Sequence, residues 1–223
     1  MCGRFTLTDI QEALRVVAPF VKDIPSDIPA RYNVAPTQPV AVIPNYEEPK
    51  LDFFLWGLIP SWSKDAKIAS RLINARGETV AEKPSFRAAY KRRRCLILTD
   101  GFYEWIKMPG ETRKTPHYIQ MESKAPFAFA GLWEIWHSPE GDEIRTCTII
   151  TTEPNEMVAK LHNRMPVILD KKDYDLWLDP EEKTQQDLGH LIKPYPAVEM
   201  MHYPVSTLVN SPANDVPETI VPA

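Results

Sequence analysis

The stretch Cys95-Leu96-Ile97-Leu98-Thr99-Asp100-Gly101-Phe102-Tyr103-Glu104-Trp105-Ile106 holds two apolar runs separated by an Asp-Gly pair. Both runs have the length and the aliphatic or aromatic content that is typical of β-strands. An Asp-Gly pair between two such runs is a strong signal for a tight turn joining antiparallel strands. The stretch therefore predicts a β-hairpin in the middle of the chain.

Further strands are predicted on both sides of this hairpin. A short first strand at residues 5–7 is followed by a helix from about residue 9 to 17, with a capping box formed by Thr8 and Gln11. The same patterns predict strands at 40–43 and 51–56 (as a hairpin), 116–120, 127–133, 144–151 and 165–169, and a final strand and turn at 198–209. They predict short helices at 84–90, 155–161, 170–178 and from Asp179 to about 192. Because strands outnumber helices and rarely alternate with them, the sequence predicts an α+β fold with a mainly antiparallel, barrel-like core and several short helices.

Length and composition limit the organisation of the chain and its partners. With 223 residues, of which 43% are hydrophobic, one domain over residues 1–223 is expected, with a loop-like tail at 212–223. The net charge of −4 means that a nucleic acid would need a local basic groove. Since no apolar run approaches about 20 residues and no signal peptide begins the chain, a cytoplasmic protein without a membrane segment is expected.

The cysteines and glycines argue against a bound metal or cofactor. Three cysteines are present, with no CxxC pair and no His/Cys spacing of a zinc site. Cys95 and Cys147 lie in strand-like runs and are expected to be buried thiols. No phosphate-binding glycine loop occurs, so neither a nucleoside triphosphate nor a dinucleotide is expected.

The first five residues, Met1-Cys2-Gly3-Arg4-Phe5, carry an unusual chemical possibility. If Met1 is removed, Cys2 has a free α-amine and a free thiol on neighbouring carbons, with ordinary pKa values of about 8 and about 8.5. The amine can attack an aldehyde to form an imine, and the thiol can then close a thiazolidine ring. The alternative is an ordinary cysteine that happens to be second in the chain.

Three further positions carry polar groups that packing alone does not require. Asn74, with Arg76 and Glu78 at alternate positions, supplies an amide on an extended segment, or else a polar turn with an internal salt bridge. Glu104, flanked by aromatic residues, either has a raised pKa in an apolar setting or faces solvent. His162 lies between a predicted helix and a predicted strand and can transfer protons near neutral pH, or is structural. Together with Cys2 these groups fit carbonyl chemistry.

Arginines and tryptophans close to these positions in the sequence suggest a partner. Arg4, Arg76, Arg94, Arg164 and Trp105 belong to this group, and single-stranded nucleic acid is bound by such a mixture of cations and aromatic faces. The alternative is that the aromatic residues form the core and that the basic run 91–94 is a solvated face.

Taken together, these motifs resemble the SOS response associated peptidase (SRAP) family of abasic-site-processing proteins. The resemblance covers residues 2 to about 210 and is carried by Met1-Cys2-Gly3-Arg4-Phe5, Tyr32-Asn33-Val34-Ala35-Pro36, Trp56-Gly57-Leu58-Ile59-Pro60, Asn74-Ala75-Arg76 with Glu78, Gly101-Phe102-Tyr103-Glu104-Trp105, Ala128-Phe129-Ala130-Gly131-Leu132-Trp133, Thr151-Thr152, and His162 with Arg164-Met165-Pro166. Asn163 departs from the family, in which many members have Asp at this position.

The resemblance implies a single SRAP domain that forms a covalent thiazolidine link between Cys2 and an abasic site in single-stranded DNA, shielding the lesion during the DNA damage (SOS) response. It implies that Cys2 is the nucleophile, that Asn74 orients it, that Glu104 moves protons at the amine and the sugar, and that His162 protonates the sugar ring oxygen. It implies DNA contacts from Arg4, Asn33, Arg76 and Arg164, and a site lined by Trp105, Thr151 and Met165.

The resemblance further implies a peptidase activity, partly self-processing that exposes Cys2, and a weak lyase activity. A cytoplasmic monomer is expected, associated with the nucleoid when bound to DNA. Two other readings remain open from the residues alone: an N-terminal-cysteine amidohydrolase, such as a glutamine amidotransferase domain, and a DNA-binding module without chemistry.

Overall fold

The computed structural model describes residues 2–22, 24–25, 27–107, 110 and 112–223. The strands are β1 (Phe5–Leu7), β2 (Arg31–Val34), β3 (Pro39–Pro44), β4 (Asp52–Trp56), β5 (Asn74–Arg76), β6 (Arg94–Thr99), β7 (Gly101–Ile106), β8 (Thr115–Met121), β9 (Phe127–His137), β10 (Glu143–Thr152), β11 (Met165–Pro166) and β12 (Met200–Pro204). The α-helices are α1 (Ile10–Val17), α2 (Arg87–Arg92), α3 (Tyr174–Leu178) and α4 (Gln185–Leu188), and short 3-10 turns occupy Ala66–Arg71, Gly77–Thr79, Val158–Lys160, Lys171–Asp173, Gly189–Leu191, Ala197–Glu199, Thr207–Asn210 and Pro217–Ile220.

Five strands close into a barrel. Its order is β10-β4-β3-β6-β9, and β9 pairs again with β10 to complete the ring. Four of these pairings are antiparallel, whereas β10 and β4 run parallel, with Thr146 opposite Leu55. β10 extends beyond the ring, where it pairs with β5 on one side and β11 on the other. The end of β10 is therefore the point at which three separate parts of the chain meet.

A second sheet of five antiparallel strands lies beside the barrel, in the order β12-β8-β7-β1-β2. The chain passes from the barrel to this sheet at Asp100, between β6 and β7. The predicted hairpin of β6 and β7 is therefore wrong, because the two strands belong to different sheets.

The side chain of Asp100 explains why its Asp-Gly pair does not form a hairpin. The carboxylate accepts hydrogen bonds from the backbone N–H and the hydroxyl of Thr8, both at 2.6 Å, and from the hydroxyl of Thr6. These bonds fix the corner against β1. Gly101 lacks the positive φ that a type I′ hairpin turn needs, and a Cβ there would lie 2.2 Å from the Tyr118 hydroxyl oxygen. The glycine permits close packing of β8.

Two predicted helix starts are also displaced. Asp9, not Thr8, caps α1, since Thr8 is held by Asp100 and the Asp9 carboxylate accepts from the Glu12 N–H at 2.9 Å. The helix predicted from Asp179 begins only at Gln185, where Thr184 and Asp187 form a capping box. The carbonyls of Asp179 and Glu181 accept hydrogen bonds from Arg94, which holds this segment out of helical geometry.

The remaining elements agree in type with the sequence patterns, with shorter helices than expected. The segment 155–161 forms only a 3-10 turn at Val158–Lys160, and 165–169 pairs as a strand only at Met165–Pro166 with an isolated bridge at Ile168. The α+β fold with a mainly antiparallel, barrel-like core is confirmed. Among the described residues, no helix has the length and apolar character that crossing a membrane requires.

Aromatic side chains fill the space between barrel and sheet. The Phe5 ring lies 5.1 Å from that of Trp56 and 5.8 Å from that of Phe129, measured between ring centroids. Cys95 and Cys147 are buried free thiols in the same cluster, as the sequence predicted. Cys2 is part of this cluster too, so the N-terminal segment enters the molecule between its two sheets.

Candidate active site

Cys2 is anchored by the strand that follows it. β1 pairs with β7, with Phe5 opposite Phe102, and the Arg4 carbonyl accepts from the Tyr103 N–H at 3.0 Å. The Cys2 side chain is completely buried, and its Sγ lies 3.8 Å from the Arg4 carbonyl oxygen. Burial raises the pKa of the Cys2 thiol, and the charge of Glu104 raises it further. The thiol is thus held neutral, close to an acidic side chain.

Asn74 contacts Cys2 directly. β5 runs parallel to β10, with Asn74 opposite Ile149, and this pairing points the amide toward the N-terminal segment. The Asn74 Nδ2 donates to the Cys2 carbonyl at 2.8 Å. Its Oδ1 is buried, and within the described part of the chain it accepts no hydrogen bond. An acceptor oxygen is therefore available beside the backbone of Cys2.

Glu104 lies on β7 with only 4% of its surface exposed. Burial is the main influence on the carboxyl group and raises its pKa. The solvent-facing alternative is wrong, and the apolar setting suggested by its aromatic neighbours is confirmed. This carboxyl group is close enough to Cys2 to affect its thiol, and its raised pKa makes it better suited to proton transfer than an ordinary glutamate.

His162 lies between the 3-10 turn at Val158–Lys160 and β11. Its Nδ1 accepts a hydrogen bond from the Arg164 N–H at 3.0 Å, so the neutral ring carries its proton on Nε2. Burial lowers the pKa of His162. The folded structure thus favours the neutral imidazole over the protonated ring, with Nε2 as the hydrogen-bond donor of the neutral form.

Arg164 ties the end of β10 to the residues after β5. Its guanidinium donates to both carboxylate oxygens of Glu78, at 2.5 and 2.9 Å, and to the Thr151 carbonyl at 2.7 Å. The sequence alternative of an internal Arg76–Glu78 salt bridge is wrong, because Glu78 pairs with Arg164. Arg76 is exposed on β5 opposite Thr151, and Thr151 and Met165 are buried.

Arg4, Asn33 and Trp105 form a second group, on the sheet. Arg4 Nη1 donates to Asn33 Oδ1 at 2.7 Å and to the Val209 carbonyl at 2.8 Å, and its guanidinium lies 5.8 Å from the centroid of the Trp105 ring. Asn33 is completely buried, and its amide nitrogen donates to carbonyls of the 209–214 segment. Asn33 therefore positions Arg4 from inside the protein.

The basic run that precedes β6 is turned away from this site. Arg94 is completely buried, and its guanidinium donates to carbonyls of α2, of α3 and of the segment after α3. Lys91 and Arg92 both pair with Glu182. These contacts give the basic run 91–94 a structural role, and Arg94 does not belong to the candidate site.

The structure thus brings Cys2 and Asn74 into contact, with Glu104 in electrostatic range of Cys2. The sequence analysis named Glu78 but did not identify it as the partner of Arg164. It gave no role to Asn210, whose Oδ1 accepts a hydrogen bond from the Trp105 indole N–H at 2.7 Å. No local pattern marks Asn210. Within the described ranges, no three His, Cys, Asp or Glu side chains converge as a metal site would require.

Comparisons with known proteins identify relatives of this chain. The profile of the family described as SOS response associated peptidase (SRAP) matches residues 1–212. The abasic site processing protein YoqW of Bacillus subtilis is 46% identical over 225 residues, covering 99% of both chains. The abasic site processing protein HMCES of Gallus gallus is 36% identical over 189 residues, covering 75% of this chain and 56% of its own.

Solved structures show the same fold. A crystal structure of a protein from Bacteroides thetaiotaomicron superposes with a TM-score of 0.88 at 26% identity, with both chains fully covered. A second, from Bordetella bronchiseptica, gives a TM-score of 0.77 at 27% identity and covers 92% of this chain and all of its own.

Proposed function

The chain belongs to the SOS response associated peptidase (SRAP) family, and on that premise we propose that it captures abasic sites in single-stranded DNA covalently through Cys2. The covalent product would shield the lesion from strand cleavage. The observation that carries the proposal is the contact between Asn74 Nδ2 and the Cys2 carbonyl, beside the buried Glu104. This contact fixes the residue whose nitrogen and sulfur would both react.

The first step is removal of Met1, which lies outside the described residues. Hydrolysis of the Met1–Cys2 peptide bond releases the Cys2 nitrogen as an amine, by self-processing as the family name suggests or through an aminopeptidase. The open Oδ1 of Asn74 can then accept a hydrogen bond from this amine and orient its lone pair.

The second step opens the sugar. His162 donates a hydrogen bond from Nε2 to the sugar ring oxygen and, in its protonated form, passes that proton to the oxygen as the ring opens. Glu104 takes the proton of the C1′ hydroxyl, and an aldehyde results. A carboxyl group with a raised pKa suits this exchange, because proton transfer is efficient when the pKa of the catalyst approaches the ambient pH.

The third step joins protein and DNA. The Cys2 nitrogen attacks the aldehyde carbon, a C–N bond forms, and the carbonyl oxygen leaves as water to give an imine. The sulfur then adds to the imine carbon while its proton passes to the nitrogen, which closes the thiazolidine ring. If β-elimination occurs at the imine before ring closure, the strand is cut, which would give the protein a weak lyase activity.

DNA contacts would come from the cations around the reacting residues. Arg76 is exposed, and Arg4 and Arg164 are partly exposed, so their guanidinium groups can reach phosphates. Trp105, Thr151 and Met165 would line the site. In this proposal Asn33 acts through Arg4, because its own amide is buried and already bonded.

The test uses an oligonucleotide that carries one abasic site, with the product resolved on a denaturing gel. Protein with an authentic N-terminal Cys2 should give a shifted band without any reductant. Cys2→Ala should lose that band yet give a borohydride-dependent one, since it retains an N-terminal amine but no sulfur. If wild-type protein with confirmed Met1 removal gives no band, the proposal fails. Hydrolysis of glutamine by the same protein would then favour the amidohydrolase hypothesis.

A further inference from the structure

A basic pocket lies between the end of β7, the start of β8 and the 3-10 turn at Thr207–Asn210. Its volume is about 530 Å³, and it is lined by Arg4, Trp105, Arg113, Lys114, Thr207 and Asn210. Three of these six residues are cations and none is acidic, in a chain whose net charge is −4. Such a local excess of positive charge favours an anionic ligand.

One wall of the pocket is held rigidly. The Trp105 indole N–H donates to Asn210 Oδ1 at 2.7 Å, and the Arg4 guanidinium lies over the Trp105 ring. Arg4 Nη1 is itself committed to Asn33 and to the Val209 carbonyl. The aromatic ring therefore stands in a fixed orientation, and Arg4 contributes its charge while most of its contacts lie inside the protein.

The other two cations of the pocket are available to a ligand. Arg113 and Lys114 are both exposed, and within the described part of the chain neither side chain forms an ion pair or a hydrogen bond. Positive charges that lie close together repel each other, and a bound phosphate would relieve that repulsion. Elsewhere, the positive run at Lys91–Arg93 is neutralised by Glu182 and Glu134.

The pocket adjoins the proposed reaction site. Burial is the main cause of the raised pKa of Glu104 and of the lowered pKa of His162. The charge of Lys114 acts on both groups: it opposes the effect of burial on the pKa of Glu104 and lowers that of His162 further. The ammonium group therefore lies within electrostatic range of the two groups assigned to proton transfer. Arg4, which also lines the pocket, is only two residues from Cys2. A strand whose abasic sugar reached Cys2 would carry a neighbouring phosphate across this pocket.

We propose that Arg113 and Lys114 bind one or two backbone phosphates of single-stranded DNA next to the abasic site, in the pocket that Trp105 also lines. This inference rests on the proposed function for its partner and adds two residues to the DNA-binding surface. The cations would neutralise phosphates without reading bases, so they would contribute affinity and not sequence preference.

The test measures binding without the covalent step. Fluorescence anisotropy follows a labelled single strand carrying a tetrahydrofuran, which has no aldehyde, from 0.05 to 0.3 M salt. Each phosphate contact contributes a slope of about −0.7 to the plot of log affinity against log salt. A slope of about −0.7 corresponds to a change in affinity of about eightfold between 1 M and 0.05 M salt. We therefore expect the loss of one phosphate contact to weaken binding about eightfold at 0.05 M salt.

Four variants at three positions make the result specific. Arg113→Ala and Lys114→Ala should each reduce the slope, and Lys114→Arg should restore it. Lys50→Ala removes an exposed lysine that lies 5.7 Å from the centroid of the Tyr46 ring and outside the pocket, and should leave the slope unchanged. Because all three side chains are exposed, thermal unfolding should be the same in every variant.

The outcomes separate the two proposals. Unchanged affinity and slope in the Arg113→Ala/Lys114→Ala double variant, while wild-type protein still crosslinks abasic DNA, would overturn this inference and leave the proposed function intact. A reduced slope in the double variant, with no crosslink from the wild type, would support the phosphate site and overturn covalent capture.

Discussion

Glu104 combines two properties that usually conflict, an ionisable group and near-complete burial. Because burial raises its pKa, the folded protein binds the proton more tightly than the unfolded chain, whose glutamate titrates at about 4.3. Stability therefore falls as pH rises from that value through the folded pKa. We therefore expect Glu104 to destabilise the folded protein at pH values above the ordinary pKa of glutamate, although the proposed reaction needs its carboxyl group.

Glu104→Gln tests this directly. The variant should be more stable than wild type at pH 8, where ionisation of the glutamate favours the unfolded chain, and closer to it at pH 4, where protonation of the glutamate removes most of that difference. It should also lose crosslinking activity. Thermal unfolding at the two pH values is the measurement, and Glu156→Gln, at an exposed glutamate, is the control. Equal stability at pH 8 would show that burial does not disfavour the charged form.

Several site residues could be predicted from sequence because their chemistry is local. Cys2 is identified by its position in the chain, and the setting of Glu104 by the aromatic residues on either side of it. The role of Asn33 could not be predicted, since its partners Arg4, Val209 and Ser211 are distant in sequence. The amide of Asn33 differs from that of a surface asparagine only in the groups that the fold brings into contact with it.

At the scale of secondary-structure elements, Arg94 joins β6 to α2 and to the segment after α3. Its guanidinium donates to the carbonyls of Tyr90, Lys91, Trp177, Asp179 and Glu181. These groups are the carbonyl ends of two short helices and the chain that follows, where hydrogen bonds within the helix are missing. One buried cation thereby satisfies several acceptors at once.

Arg94→Met should therefore be strongly destabilising. The substitution retains most of the side-chain volume but leaves buried carbonyls without donors, a loss of about 3 kcal/mol or more in the free energy of unfolding. Urea denaturation measures it. Arg92→Met, in the same basic run but exposed and paired with Glu182, should cost much less. Similar losses in the two variants would contradict the role given to Arg94.

The Asp100-Gly101 corner shows why elements were easier to predict than their pairing. The apolar runs on both sides correctly indicated strands, since a strand pattern is local. The turn signal then favoured a hairpin, but Asp100 bonds to Thr6 and Thr8, more than 90 residues earlier. Contacts that distant decide which sheet a strand joins, and no short window of sequence contains them.

At the scale of the whole molecule, the site depends on the two sheets meeting at the N-terminal segment. The second sheet supplies Glu104 and the strand that anchors Cys2. The end of β10 supplies Thr151 and pairs with two short strands, β5, which carries Asn74, and β11, which carries Met165. The α+β class and its barrel could be predicted from strand content. The convergence on β10 could not, because it depends on β5 and β11, which are only three and two residues long.

The C-terminal segment takes part in the same arrangement. The predicted tail at 212–223 contains a 3-10 turn at Pro217–Ile220 and a bridge between Val205 and Pro222. The Asp215 carboxylate accepts from the backbone N–H groups of Tyr32 and Asn33 and pairs with Arg31 at 2.6 Å. Because Asn33 in turn holds Arg4, the C-terminal segment supports a residue of the proposed DNA-binding surface through its contacts with β2.

Asp215→Ala should consequently act at a distance. Loss of these three contacts should lower the free energy of unfolding by about 3 kcal/mol, at roughly 1 kcal/mol for each hydrogen bond lost. It should also weaken binding of the tetrahydrofuran strand, since Asn33 and with it Arg4 lose their support. Glu218→Ala, at an exposed position on the same segment, should change neither quantity. Urea denaturation and anisotropy on the same preparations provide both measurements, and a loss of stability with unchanged binding would show that the C-terminal segment supports the fold without supporting Arg4.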